Sequence, residues 1–94
     1  MMYTIIISLT AQKEEAEAYL FYEKISDGLG ERFLEEVENA LEKIAANPTH
    51  YSYVDSTNSL RDLALEKFPF VIIYEILADK IIVTNIHHTK KELK

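Results

Sequence analysis

Between Ser59 and His88 the chain carries three runs rich in β-branched and aromatic residues, at about 60–67, 70–77 and 80–87, joined by Phe68-Pro69 and Ala78-Asp79. Connectors this short leave no room for a helical crossover, so the three runs must form an antiparallel meander. Everything ahead of them then has to pack against a sheet that buries at least one face.

The preceding residues supply the packing partner. Tyr3, Ile5, Ile7 and Leu9 alternate with Thr4, Ile6, Ser8 and Thr10, which reads as a strand apolar in part on both faces. Thr10 is expected to cap a helix running to about Ser26, with Ala18, Phe21, Tyr22 and Ile25 at i, i+3, i+4 and i+7 as its buried stripe. Ser26-Asp27-Gly28-Leu29-Gly30 then folds the chain back. In the second helix Phe33, Val37, Ala40, Leu41 and Ile44 face inward, and Glu31, Glu35, Glu36, Glu38 and Glu42 take the solvent side. Asn47-Pro48 ends it, because the residue before a proline is pushed out of the α region, and 49–58 reads as a surface loop. The expected fold class is α+β: an N-terminal strand, an αα-hairpin and a three-stranded antiparallel meander, with the helices on one face of the sheet. At 94 residues there is room for one core, so residues 1–94 are expected to be a single domain.

If both connectors are two-residue turns, Leu63, Leu65, Phe70, Ile72, Tyr74, Ile76, Ile81 and Val83 share the helix-facing side. The other side then holds Asp62, Ala64, Glu66, Val71, Ile73, Glu75, Ile82, Thr84, Ile86 and His88. Its aliphatic strip of Val71, Ile73, Ile82 and Ile86 is the kind of surface that takes a partner segment or a second copy of the chain.

Several functions are disfavoured at once. Without cysteine there is no disulfide, thiolate metal site or cysteine nucleophile. The apolar opening has no Lys or Arg ahead of it, which argues against a secretory signal, and no apolar run nears the roughly 20 residues a membrane helix needs. A cytoplasmic protein with no membrane role is expected. His87 and His88, adjacent in a strand, point to opposite faces, and His50 is on a loop, so neither a metal nor a cofactor is expected.

The order of these pieces, together with Ser59-Leu60-Arg61, Lys67-Phe68-Pro69-Phe70 leading into Tyr74, and His87-His88-Thr89-Lys90-Lys91, resembles the RelE/ParE superfamily of small bacterial toxins, in its plasmid-stabilization branch. Relatives carry an arginine at the start of the second strand, where Arg61 stands. In nuclease members basic residues of this region hold RNA phosphate and stabilise charge on the transferring phosphoryl group. Those members also place an arginine about three residues before the tyrosine that matches Tyr74. Here that stretch is Phe70-Val71-Ile72-Ile73, and Lys67 is the nearest cation. His88 matches the family histidine, while Lys90 and Lys91 replace arginines and cannot form a bidentate fork. As a nuclease the chain would draw on Arg61, Lys67, Tyr74 and His88. As a binder it would meet its target through Arg61, Lys67, His88, Lys90 and Lys91. The plainer readings are a strand-end arginine paired with Asp62 or a helix glutamate, a turn lysine, and a solvated tail.

The resemblance implies the toxin half of a type II toxin–antitoxin pair, with a cognate antitoxin docking on Val71, Ile73, Ile82 and Ile86. A ParE-like member binds a protein target, DNA gyrase, whereas a RelE-like member cleaves messenger RNA on the ribosome. The net charge of −6, with Asp62, Glu66 and Glu75 near the candidate cleft, opposes phosphate binding and favours the ParE-like, non-nuclease reading without binding to free DNA. The rival from another class is an interaction module that keeps the scaffold and has lost its effector residues.

Overall fold

The computed structural model describes residues 3–54, 56 and 59–89. Its elements are β1 (Thr4–Ile7), α1 (Leu9–Ile25), α2 (Leu29–Ala46), β2 (Arg61–Ala64), β3 (Phe70–Leu77) and β4 (Lys80–His88). They form the expected α+β arrangement, an N-terminal strand, a helix pair on one face and an antiparallel β2-β3-β4 meander. The sheet order is β1-β4-β3-β2, and β1 lies parallel to β4, with Ile6 opposite Ile82. A parallel pair needs a long crossover, which here is the whole helical hairpin and meander. Among the described residues no helix is long and apolar enough to cross a membrane.

Ser8, not Thr10, caps α1: its Oγ accepts the Ala11 amide at 3.0 Å and donates to the Thr84 carbonyl at 2.9 Å. One hydroxyl thus starts the helix and ties it to β4. The buried stripe of α1 also differs from expectation. Ala11, Ala18 and the half-buried Tyr22 face the core, while Phe21 and Ile25 are each 60% exposed. Alanines at the contact let the helix approach the sheet closely, and that rotation carries the two larger side chains outward. In α2 the expected stripe holds: Phe33, Val37, Ala40 and Ile44 are buried, and Leu41 packs against them.

The turn between the helices is held by Glu23, whose carboxylate accepts the Gly28 amide at 2.9 Å and the Gly30 amide at 2.8 Å. Gly28 sits at φ 87, and a Cβ on Gly30 would lie 2.7 Å from the Tyr19 carbonyl oxygen. Both positions therefore require glycine, one for conformation and one for space.

Two register details set the faces of the sheet. The β2–β3 connection is five residues long, not two, but Leu63 pairs with Ile72 and Arg61 with Tyr74, a shift of two that leaves each side chain on its expected face. Between β3 and β4 a bulge intervenes: Tyr74 faces Val83, whereas Ile73 faces Asn85. The extra residue, Thr84, donates its hydroxyl to the Ile73 carbonyl at 3.2 Å. Beyond it the alternation inverts, so Ile86 and His88 join Ile72 and Phe70 on the helix side, contrary to the expected face assignment. Ile86 is completely buried in the core beside Tyr74, Phe33, Ile44, Ile72 and Ile81.

Candidate functional site

Arg61 opens β2 with its side chain toward the loop that follows α2. That loop runs back along the sheet edge: Tyr53 bridges Arg61, the Val54 amide reaches the Leu60 carbonyl at 2.8 Å, and the Asp62 amide reaches Ser52 at 3.3 Å. The guanidinium donates to the carbonyls of Tyr51 at 2.6 Å and Thr49 at 3.2 Å and to the Tyr53 hydroxyl at 2.7 Å, and lies 4.0 Å from the centre of the Tyr53 ring. Its fork and its flat face are both engaged within the protein. These loop carbonyls and the Tyr53 ring are partners of Arg61 to which the sequence did not point.

Tyr74, directly across from Arg61, is completely buried, and its hydroxyl donates to the Pro48 carbonyl at 2.6 Å. Burial is the main cause that pushes its pKa up to about 12, against a smaller lowering by Arg61. A phenol so placed has no access to a substrate and stays protonated at neutral pH, so Tyr74 is a structural tyrosine.

Lys67 and His88 lie at the opposite end of the sheet. His88 pairs with Phe70, their rings 5.2 Å apart, and the Thr89 amide reaches the Pro69 carbonyl at 2.9 Å, beside the turn that exposes Lys67. Four residues of β3 separate this end from Arg61, roughly 13 Å at about 3.3 Å per residue. The structure therefore brings His88 and the Lys67 turn together and leaves Arg61 and Tyr74 apart from them. Lys90 and Lys91 lie outside the described residues.

Next to His88 is a groove of about 250 Å³ between α1 and the end of β4, walled by Ala18, Phe21, Phe70 and Ile86 and rimmed by Glu14, Glu17, His87 and His88. Glu14 is the residue that sequence reasoning missed. Because β1 ends at Ile7, the edge of β4 would lie open beyond Val83. There Glu14 accepts the Ile86 amide at 2.9 Å and the Asn85 side-chain amide at 3.3 Å, and stands 3.5 Å from His87 Nδ1. One carboxylate thus takes over from a strand that has run out. Only its place in the first turns of α1 hinted at it, and that hint pointed to the helix dipole.

On the side away from the helices, Ile73 and Ile82 are half-buried, Ile6 opposite Ile82 is 40% exposed, and Val71 is 4% exposed. Ile86 is absent from this side. The open strip is therefore Ile6, Ile82 and Ile73, bordered by Asp62 and Glu75. Among the described residues no group of three or more His, Asp and Glu converges as metal ligands would.

An αα-hairpin covering one face of a small sheet, with the meander after it and the reverse face open, is the fold of the RelE/ParE-type toxins. The profile described as ParE toxin of type II toxin–antitoxin system, parDE, matches residues 5–93, and the chain belongs to that family. Similar solved structures include a chromosomal ParDE toxin–antitoxin system from P. aeruginosa, 20% identical over 93% of this chain and 96% of that one, with a TM-score of 0.68. A toxin–antitoxin complex RelBE2 from Mycobacterium tuberculosis is 12% identical, covering 94% and 99%, with a TM-score of 0.66. A mutant of the E. coli toxin RelE in the free state is 12% identical, covering 99% and 90%, with a TM-score of 0.67. Comparison with curated proteins found no match.

Proposed function

We propose that this ParE-family toxin is held inactive by a cognate antitoxin and acts in the cytoplasm as a ParE-like binder of a protein target such as DNA gyrase, not as a ribosome-dependent nuclease. One observation carries the choice between mechanisms: the side chains best matched to nuclease chemistry are spent inside the fold. Arg61 is committed to Thr49, Tyr51 and Tyr53, and Tyr74 is buried against Pro48. The bulge that buries Ile86 leaves the strip of Ile6, Ile73 and Ile82 as the sheet surface open to an antitoxin segment. Lys67 and His88, with Lys90 and Lys91 following in sequence, are the groups assigned to the target.

Induced expression with and without the neighbouring antitoxin gene tests this reading. Growth arrest with an SOS response, relieved by the antitoxin, together with inhibition of gyrase supercoiling by purified protein, is the expected result. Arrest accompanied by cut transcripts would overturn it in favour of the RelE-like mechanism, and unaffected growth in favour of an inert interaction module.

A further inference from the structure

The flank of α1 opposite its seam with α2 carries a knob beside a hole. Phe21 and Ile25, one turn apart, are each 60% exposed, and Leu20 beside them is 58% exposed. Next to Phe21 the helix walls the groove of about 250 Å³ over the buried Ala18, Phe70 and Ile86. That volume is below the roughly 300–1,000 Å³ of small-molecule pockets and suits one large side chain. Large apolar residues grouped so closely on a surface mark a contact with another chain.

Charge along the flank decides which chain. Glu17 stands four residues before Phe21 and Lys24 three after it, both are exposed, and no ion pair found among the described residues involves either. Glu14, nearer the start of the helix, is spent on β4. The flank is therefore acidic ahead of the knob and basic behind it. Two such helices crossing antiparallel at Phe21 set each Glu17 against the other copy's Lys24, twice over by symmetry. Parallel helices would bring like charges together. The same antiparallel crossing lowers each Phe21 into the other copy's groove, where the small Ala18 leaves room between helix and sheet. We infer that this flank is a two-fold interface with a second copy of the chain, knob into hole on both sides. A contact confined to one helix flank belongs to the small, reversible class of interfaces, so the dimer forms and dissociates with concentration.

Sedimentation velocity of the full chain, purified free of antitoxin, provides the test over about 1–300 μM, a range that brackets a weak interface. The wild type is expected to pass from one to two chains per particle as concentration rises. Phe21→Arg should remain a single chain throughout. Lys24→Glu, which faces Glu17 of the other copy, should weaken the dimer about tenfold, and Glu17→Lys/Lys24→Glu should return it to within about threefold of the wild type, because the exchange keeps the cross-pair. Both charged positions are exposed, so these variants should melt as the wild type does and decide the matter even if Phe21→Arg loses its fold. A wild type that stays a single chain at every concentration overturns the inference. So does a dimer indifferent to Phe21→Arg or Lys24→Glu, which would place the contact elsewhere, or one that the double exchange fails to restore, which would exclude the antiparallel crossing. The measurement needs neither antitoxin nor target, so its outcome is independent of the toxin–antitoxin reading above.

Discussion

At the scale of single residues, Arg61 and Tyr74 show how a side chain that looks chemical can be structural. Arg61 serves three acceptors and a ring at once, and a lysine, a compact ammonium without the planar fork, cannot supply all of those contacts together. Arg61→Lys should therefore cost about 1–3 kcal/mol in urea unfolding, with the amides of the 51–54 segment exchanging faster. Tyr74→Phe should cost about 1 kcal/mol at neutral pH by leaving the Pro48 carbonyl without its donor. The pH dependence follows from the raised pKa. Folding favours the neutral phenol, so its contribution is fully present below the ordinary value of 10.0 and is lost as pH rises through about 12. The alkaline fall in stability should be shallower in Tyr74→Phe, and absorbance titration of the wild type should show two of six tyrosines ionising late, Tyr22 and, last, Tyr74. Neither residue's role was readable from position alone, because the loop that accepts from both has no periodic pattern to place it.

At the scale of elements, turns and bulges decide more than strands do. The two-residue β3–β4 loop puts Ala78 at φ 56, a left-handed conformation in which glycine escapes the Cβ clash. Ala78→Gly should raise stability by about 0.5–1 kcal/mol in thermal unfolding. Gly30→Ala should act in the opposite direction, since its Cβ would meet the Tyr19 carbonyl at 2.7 Å and push the helices apart, at a cost of about 1–3 kcal/mol. The contrast between the two substitutions isolates backbone conformation from space. The same logic explains what the sequence disclosed. The helical hairpin and the meander were legible from Gly28, Gly30, Asn47-Pro48 and the β-branched runs, and the β2–β3 faces survived a misjudged connector because the pairing register moved by two. Thr84 defeated the reading of β4, since a bulge leaves no trace in an apolar-polar alternation yet inverts every residue after it, and Ile86 passed from presumed surface to core. The exposure of Phe21 was hidden for a related reason. Helical spacing gives a stripe, but how the helix rolls on the sheet depends on which small residues permit close approach, here Ala11 and Ala18.

At the scale of the whole molecule, charge separates the competing activities. The entire excess of six negative charges lies between Lys13 and Asn47, on the helical side, while the rest of the chain is balanced. A surface of this kind repels a phosphate backbone at long range and attracts a basic protein segment, and both effects are screened by salt. Fluorescence anisotropy with a single-stranded RNA should therefore show no binding at low ionic strength, where phosphate contacts would be strongest. The antitoxin complex should weaken as salt is raised and recover on dilution, to the extent that the acidic helical side holds a basic partner by charge. Tight RNA binding that fades steeply with salt would mean that the cations near Lys67 and His88 outweigh the acidic helices locally. The nuclease mechanism would then regain its footing in spite of the committed Arg61.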